Sequence, residues 1–410
     1  MNIIVKSTKH LTGTVVVPSS KSQSIRALLL ASVAQGKSEL TNILESDDTN
    51  TARTVLADLK NKSSIFTGDS GITTRFILPL LGLRFDTTDQ VTLDCSQQMR
   101  VRPIDPLLQS LRELGMSITE TPGTIYPLKI SGRLVGGATN IDGTTSQYLS
   151  ALLLALPLAQ HDSIVTVNNL NERPYVKMTT RWLDELNIKY SWIQIDSKDI
   201  FKIIGRQTYQ AFNKTIPGDF SSASYLIAAG VLCGDEVIVQ GLDFSDMQGD
   251  KRLIEILQHM GADIIQKPTG QLVIHGGNKL TGQIIDCNDI PDLVPTLAVI
   301  ATQAYGVTEL INVPQARLKE TDRLHSMFDG LTKLGAKVTE LSDGLIIQES
   351  KLTGTSVPGY NDHRTVMALT IAGLVASGET TIATAESINK TCPPFIQLIK
   401  SLGAICNTSS

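Results

Sequence analysis

A chain of 410 residues, 41% hydrophobic and 19% charged, has room for two or three domains and a sizeable core. Its formal net charge of -4 argues against a nucleic-acid partner, because such proteins favour basic surfaces. Five scattered cysteines, Cys95, Cys233, Cys287, Cys392 and Cys406, form no CxxC pair and predict reduced thiols rather than a disulfide frame or a zinc site.

The N-terminal segment Met1–Leu11 carries a short apolar run and then lysines. It lacks the charged start, longer apolar core and small-residue cleavage site of a signal peptide. The longest apolar run, around Leu149 to Ala159, is too short to span a bilayer. These features predict a cytoplasmic protein with no membrane partner.

Two kinds of helix then alternate along the chain. The first kind opens with a small or capping residue and is apolar on most faces, which predicts burial against sheets. Its six copies are SKSQSIRALLLASVAQG, SGITTRFILPLLGL, TSQYLSALLLALPLA, SSASYLIAAGVLCG, IPDLVPTLAVIATQAYG and YNDHRTVMALTIAGLVASG. The second kind is amphipathic and runs into a β-like segment. Its copies are VLADLKNKSSI from Val55, LLQSLRELGMSI from Leu107, WLDELNIKY from Trp182, IEILQHMGADI from Ile254, FDGLTKLGAKV from Phe328 and FIQLIKSLGAIC from Phe395. In four of these a glycine (Gly115, Gly261, Gly335, Gly403) stands where a helix end turns left-handed. Copies lie roughly 55 to 75 residues apart, longer than the 20–50 of solenoid repeats, and suit a βαβ-type module with two helices. The fold class expected is α/β: two similar lobes of three modules each, helices inside and sheets outside. Residues 1–19 plus 218–410 form lobe I and residues 20–217 lobe II.

Polar residues collect at the starts of the apolar helices. In chain order they are Lys21, Ser22 and Arg26; Asp69, Ser70, Gly71, Thr73 and Arg75; Thr145, Ser146 and Gln147; Asp219, Ser221 and Ser222; Asp292; and Asn361, Asp362, His363 and Arg364. Linking segments add Arg100 and Arg102, then Lys319, Glu320 and Arg323, and finally Lys390. Helix N-termini attract anions, Arg forks grip carboxylates and phosphates, and carboxylates move protons. The ligand implied is small and multiply anionic, held in a cleft between the lobes. The sequence contains no GxGxxG, GxxxxGK[ST], HExxH or GxSxG, and no clustered His/Cys set, so neither cofactor nor metal is expected.

The segments TGTVVVPSSKSQSIRALLLA, RPIDPLLQSLRELG, GDFSSASYLIAA, SDMQGDKR, LKETDRL, GYNDHR and NKTCPPF resemble, in order and near spacing, the successive motifs of the EPSP synthases, a family of enolpyruvyl transferases. The resemblance covers essentially the whole chain. It implies two lobes, each of three βαβαββ units, and transfer of the enolpyruvyl group of phosphoenolpyruvate to shikimate 3-phosphate, without a cofactor, by a monomer. It also implies roles. Lys21, Ser22 and Arg26 would contact substrates. Arg102, Arg323, Arg364 and Lys390, with Lys21, Gly71 and Gln147, would cradle phosphoenolpyruvate. Gln147 and Tyr175 would lie beside the acceptor ring, and Thr145, Ser146 and Lys319 at its phosphate. Asp292 and Glu320 would form the acid/base pair, with Lys21 and Lys390 stabilising charge.

The chain departs from the family pattern at three residues. GDSGI replaces the usual GN[AS]GT, so Asp69 stands for Asn and Ile72 for Thr. Asp69 would repel an anion unless paired, for example with Arg75 or Arg100. Ile72 would narrow the space for a phosphonate inhibitor. Glu172 stands where the family has a Ser at the acceptor phosphate; it would face solvent, pair with Arg173, or weaken or alter acceptor binding. Two further readings follow: a transferase of this fold with another acceptor, such as a UDP-sugar, and a catalytically weak anion-binding module.

Overall fold

The computed structural model describes residues 1–59, 62–84 and 90–409. The chain divides into two compact units, Met1–Ser20 with Pro217–Ser410 (unit one) and Lys21–Ile216 (unit two). Strands β1 (Asn2–Lys6) and β2 (Leu11–Val16) open unit one. Unit two follows with α1 (Lys21–Val33), β3 (Glu39–Thr41), α2 (Asp47–Asp58), β4 (Ser64–Phe66), α3 (Gly71–Leu81), β5 (Val91–Asp94), α4 (Gln97–Arg100) and α5 (Asp105–Glu113). It continues through β6 (Met116–Thr119), β7 (Leu128–Gly132), β8 (Gly137–Asp142), α6 (Ser146–Ala155), β9 (Ser163–Asn168), α7 (Arg173–Glu185), β10 (Tyr190–Ile195), β11 (Lys198–Ile203) and β12 (Asn213–Thr215). Unit one resumes with α8 (Phe220–Cys233), β13 (Gly234–Gln240), α9 (Arg252–Met260), β14 (Asp263–Gln266), β15 (Leu272–His275), β16 (Ile284–Asp286), α10 (Val294–Ala301) and β17 (Val307–Ile311). It ends with α11 (Arg323–Lys333), β18 (Lys337–Leu341), β19 (Gly344–Gln348), β20 (Ser356–Val357), α12 (His363–Val375), β21 (Glu379–Ile382), α13 (Phe395–Ser401) and β22 (Cys406–Ser409).

One sheet plan recurs. β4 runs parallel to β5, β5 pairs antiparallel with β7, and β7 antiparallel with β6. The sets β8-β9-β11-β10, β16-β17-β19-β18 and β2-β13-β15-β14 repeat it. In a fifth sheet β20 and β21 are the parallel pair, and the two ends of the chain, β1 and β22, supply the rest. Among the described residues the sixth sheet is the parallel pair β12-β3 alone. Parallel neighbours need a crossover, and α3, α6, α10 and α12 provide it in four sheets. In the other two the strands are exchanged. β2 leads into α1 yet pairs with β13, and β12 leads into α8 yet pairs with β3. The two chain segments that leave unit one are tied together there, Ser20 N donating to Pro217 O at 2.8 Å and Asp219 N to Pro18 O at 2.9 Å.

Burial follows the two helix types. Every residue of α3 and α10 is buried, and nearly every residue of α6, α8 and α12, whereas α5, α7, α9 and α11 bury one face. Each unit has its own apolar core. Gly115, Gly261, Gly335 and Gly403 turn left-handed as expected, at φ +105°, +105°, +92° and +104°. After α7 Asn187 does so, at +58°, because Asn tolerates this region better than other non-glycines. Capping is less general than the sequence suggests. Side chains of Thr145, Asp219 and Asp362 cap α6, α8 and α12, whereas Ser70 makes no side-chain cap on α3. Among the described residues no helix is long and apolar enough to cross a membrane.

Candidate active site

In unit one, α10, α11 and α12 pack against one another. Arg323 is the first residue of α11, Asp362 the N-cap of α12, and Asp292 lies in the single 3-10 turn, Pro291–Leu293, that leads into α10. The Arg323 guanidinium, 1% exposed, donates from Nε to Asp362 Oδ2 at 2.9 Å, from Nη1 to Asp292 Oδ1 at 2.6 Å and from Nη2 to Glu320 Oε2 at 2.5 Å. The second Asp292 oxygen accepts from Arg364 Nη2 at 2.6 Å. Burial opposes the charge of Asp292, but Arg364, Arg323 and Lys319 outweigh it and hold the carboxyl well below its usual range. Burial also opposes the Arg323 charge, and Asp362, Glu320 and Asp292 outweigh it, keeping the guanidinium firmly protonated. Lys390 Nζ donates to Asn361 O at 3.4 Å, beside the start of α12. Asp292, Glu320, Arg323 and Arg364 thus form one bonded cluster, with Lys319 near enough to act on Asp292.

Near enough to feel the charges of Asp292 and Arg364 is a carboxyl outside the expected site. Asp250 is 1% exposed and accepts from Ser221 Oγ at the first turn of α8. Burial, reinforced by the Asp292 charge, pushes its carboxyl up to about 7. Gln248, two residues earlier, bonds the chain at the start of α8, accepting from Phe220 N and donating to Gly218 O, each at 2.9 Å.

Unit two carries a second set. Lys21, at the start of α1, pairs with Asp48 in the first turn of α2 at 2.9 Å. Arg102 lies against the first turn of α3, so close that a Cβ on Gly71 would run into its guanidinium. Arg75 donates to Gln147 Oε1 at 2.7 Å and to Pro103 O at 3.0 Å, holding Gln147 at the start of α6. Arg26 is held by bonds within unit two. It is 1% exposed and donates to Thr179 Oγ1 at 2.9 Å, Ser22 O at 3.0 Å, Ser150 Oγ at 3.4 Å and Tyr175 O at 3.3 Å. It therefore fixes the backbone of Ser22 and Tyr175. Asp48, Thr179 and Ser150 carry no sequence signal of these roles, because they lie on other helices far along the chain.

The three departures from the family pattern also find their places. Asp69 accepts from Ser96 Oγ, and Arg100 is taken by Asp94 in a fork of 2.7 and 2.8 Å. Ile72 belongs to the apolar core of unit two. Glu172 does not face solvent: it is 2% exposed and its Oε2 accepts from Ser146 N at 3.0 Å, Ser146 Oγ at 2.7 Å and Thr145 Oγ1 at 3.3 Å. Arg173 turns instead to the buried Asp199, in a fork of 2.9 and 2.6 Å. Cys392 is buried, and burial pushes its thiol well up, so it is unreactive at neutral pH.

The sequence profile of the EPSP synthase (3-phosphoshikimate 1-carboxyvinyltransferase) family matches residues 5–65 and 59–399. A 3-phosphoshikimate 1-carboxyvinyltransferase of Acetivibrio thermocellus is 44% identical over 418 residues, covering 97% of each chain. One of Ruminiclostridium cellulolyticum is 44% identical over 416 residues, covering 96% of each. The solved EPSP synthase of Acinetobacter baumannii superposes with a TM-score of 0.80 over 100% of both chains at 24% identity, which establishes the shared fold. Motif order, repeated sheet plan and end-to-end identity agree, and the chain belongs to the EPSP synthase (3-phosphoshikimate 1-carboxyvinyltransferase) family.

Proposed function

We propose that this protein transfers the enolpyruvyl group of phosphoenolpyruvate to the 5-hydroxyl of shikimate 3-phosphate. The observation that carries this reading is the attachment of Asp292 and Glu320 to one buried guanidinium, at 2.6 and 2.5 Å. Two carboxylates held together by a fixed cation are placed to handle the two proton transfers that the reaction needs. Asp292, kept ionised by two arginines, has no proton to give, so it takes the side that accepts: it receives the hydroxyl proton as the oxygen bonds C2 of phosphoenolpyruvate. Glu320 delivers a proton to C3. The product of this addition is a ketal phosphate with a methyl group. In the elimination C3 returns its proton to Glu320, the bond from C2 to the phosphate oxygen breaks, the leaving phosphate takes the hydroxyl proton from Asp292, and the double bond re-forms with release of inorganic phosphate.

The binding roles follow the same logic. Three of the five N–H groups of Arg323 are taken by protein carboxylates, so its main work is to fix the acid/base pair. Arg102, Arg364, Lys390 and Lys21, with the Gly71 backbone and Gln147, suit the carboxylate and phosphate of phosphoenolpyruvate. Ser22, Gln147 and Tyr175 suit the acceptor ring, and Thr145, Ser146 and Lys319 its phosphate. The test is phosphate release from the purified protein with both substrates and with phosphoenolpyruvate alone. Acceptor-dependent release is expected; its absence in a folded protein would overturn the reading.

A further inference from the structure

The start of α6 offers an anion a backbone N–H and two hydroxyls, from Ser146 and Thr145, and an anion already sits there. Glu172 Oε2 takes all three donors, at 3.0, 2.7 and 3.3 Å. The side chain reaches that point from a backbone at φ +56°, ψ +40°, a left-handed region unfavourable for a non-glycine residue. The next residue, Arg173, is pinned to Asp199, whose Oδ1 also accepts from Trp192 Nε1 at 2.8 Å. The loop is thus anchored on one side of Glu172, while three donors that a phosphate would use bind the Glu172 carboxylate.

We propose that Glu172 is an internal occupant of the acceptor-phosphate subsite, which the acceptor must displace in order to bind. The inference rests on the reading of Thr145 and Ser146 as the acceptor-phosphate groups. A carboxylate and a phosphate cannot share the same three donors: the donors are saturated, and like charges at contact distance repel. The phosphate therefore enters only after Glu172 swings away, and the apparent affinity falls by the fraction of molecules in which the site is vacated. Glu172 is in this way a specificity-determining residue. It weakens the hold on any phosphate-bearing ligand at the start of α6 and leaves an acceptor without that phosphate unaffected.

The test compares wild type with Glu172→Ser and Glu172→Gln, each alone and combined with Ser146→Ala. The readouts are the KM for shikimate 3-phosphate, the KM for phosphoenolpyruvate and kcat. Removing the internal carboxylate is expected to lower the acceptor KM by roughly tenfold, most for Glu172→Ser, with little change in the KM for phosphoenolpyruvate. A cap with a purely structural role predicts the opposite, an unchanged or raised acceptor KM, and that result would overturn the proposal. Ser146→Ala separates the two layers of the argument. If it raises the acceptor KM while the Glu172 variants do not lower it, the subsite stands and the internal occupant does not. If it leaves the acceptor KM unchanged in every background, the subsite reading fails and the inference fails with it. Melting of the same proteins with inorganic phosphate gives a second measure, needed if Glu172→Ser folds poorly. Phosphate is expected to raise the melting temperature of Glu172→Gln more than that of wild type, and equal shifts would also overturn the proposal.

Discussion

A buried guanidinium that binds three carboxylates is an unusual use of an arginine that substrate anions could also claim. At Arg323 the arrangement fixes where Asp292 and Glu320 stand before any ligand arrives, and the reaction needs them fixed. Replacing Glu320 by Gln keeps an oxygen for Arg323 Nη2 and removes the exchangeable proton. Turnover should fall by roughly 10²–10⁴, while calorimetric binding of shikimate 3-phosphate stays close to wild type. Turnover near normal would take Glu320 out of proton transfer. The residues of this cluster were legible in the sequence because their charges gather at helix starts within short motifs. Their mutual bonds were not. Arg323 and Asp362 are 39 residues apart, and Glu172 and Ser146 are 26 apart, so which partner each side chain takes is decided only when the helices pack. Hence the expectations for Glu172, a solvent-facing loop residue or a partner of Arg173, missed its burial against α6.

Among elements, the inner helices have to lie close to their sheets, and two of them use glycine to do so. Gly373 in α12 faces β1 and β21: a Cβ there would run into Val5 and stand 3.1 Å from the Thr380 Cβ. Gly230 in α8 faces β13 and β15 more loosely, with a Cβ 3.1 Å from Ile274 Cγ2 and 3.2 Å from Val237 Cβ. Alanine gains about 1 kcal/mol over glycine inside a helix, whereas overpacking costs about 1–3 kcal/mol. Gly373→Ala should therefore be clearly destabilising in urea unfolding, and Gly230→Ala close to neutral. A stabilising Gly373→Ala would show that the helix–sheet spacing is not tight. The helices and strands themselves were readable, because apolar spacing and left-handed glycines are local signals. The expected lobe bounds already kept β2 in lobe I and β12 in lobe II, but their pairing partners, β13 and β3, were not readable. β2 and β12 are short strands leading into an apolar helix, and nothing local says that the pairing partner lies beyond the next crossing.

At the scale of the whole molecule, folding concentrates charge at a few buried points, and this links stability to pH. Asp250 is the sharpest case. Its folded carboxyl titrates at about 7 against an ordinary 3.8, because burial and then the Asp292 charge oppose ionisation, with Asp219 adding to them and Arg364 and Ser221 partly offsetting them. Between about pH 4 and 7 the unfolded chain has released this proton and the folded chain has kept it. Stability from this group is therefore full below about pH 4 and is lost as pH rises towards 7; at 1.36 kcal/mol per pH unit the loss is on the order of 4 kcal/mol. Asp292 works the other way: its depressed folded value contributes stability above its ordinary range and loses it only in strong acid. The two act in separate windows, so the Asp250 contribution can be read alone. Asp250→Asn is nearly isosteric, stays uncharged and keeps an oxygen for Ser221. Its stability relative to wild type should rise from pH 5 to about pH 7 in thermal or urea unfolding and level off above that. Parallel curves across this range would mean that Asp250 is ionised in the folded protein, with Arg364 and Ser221 compensating its charge in full.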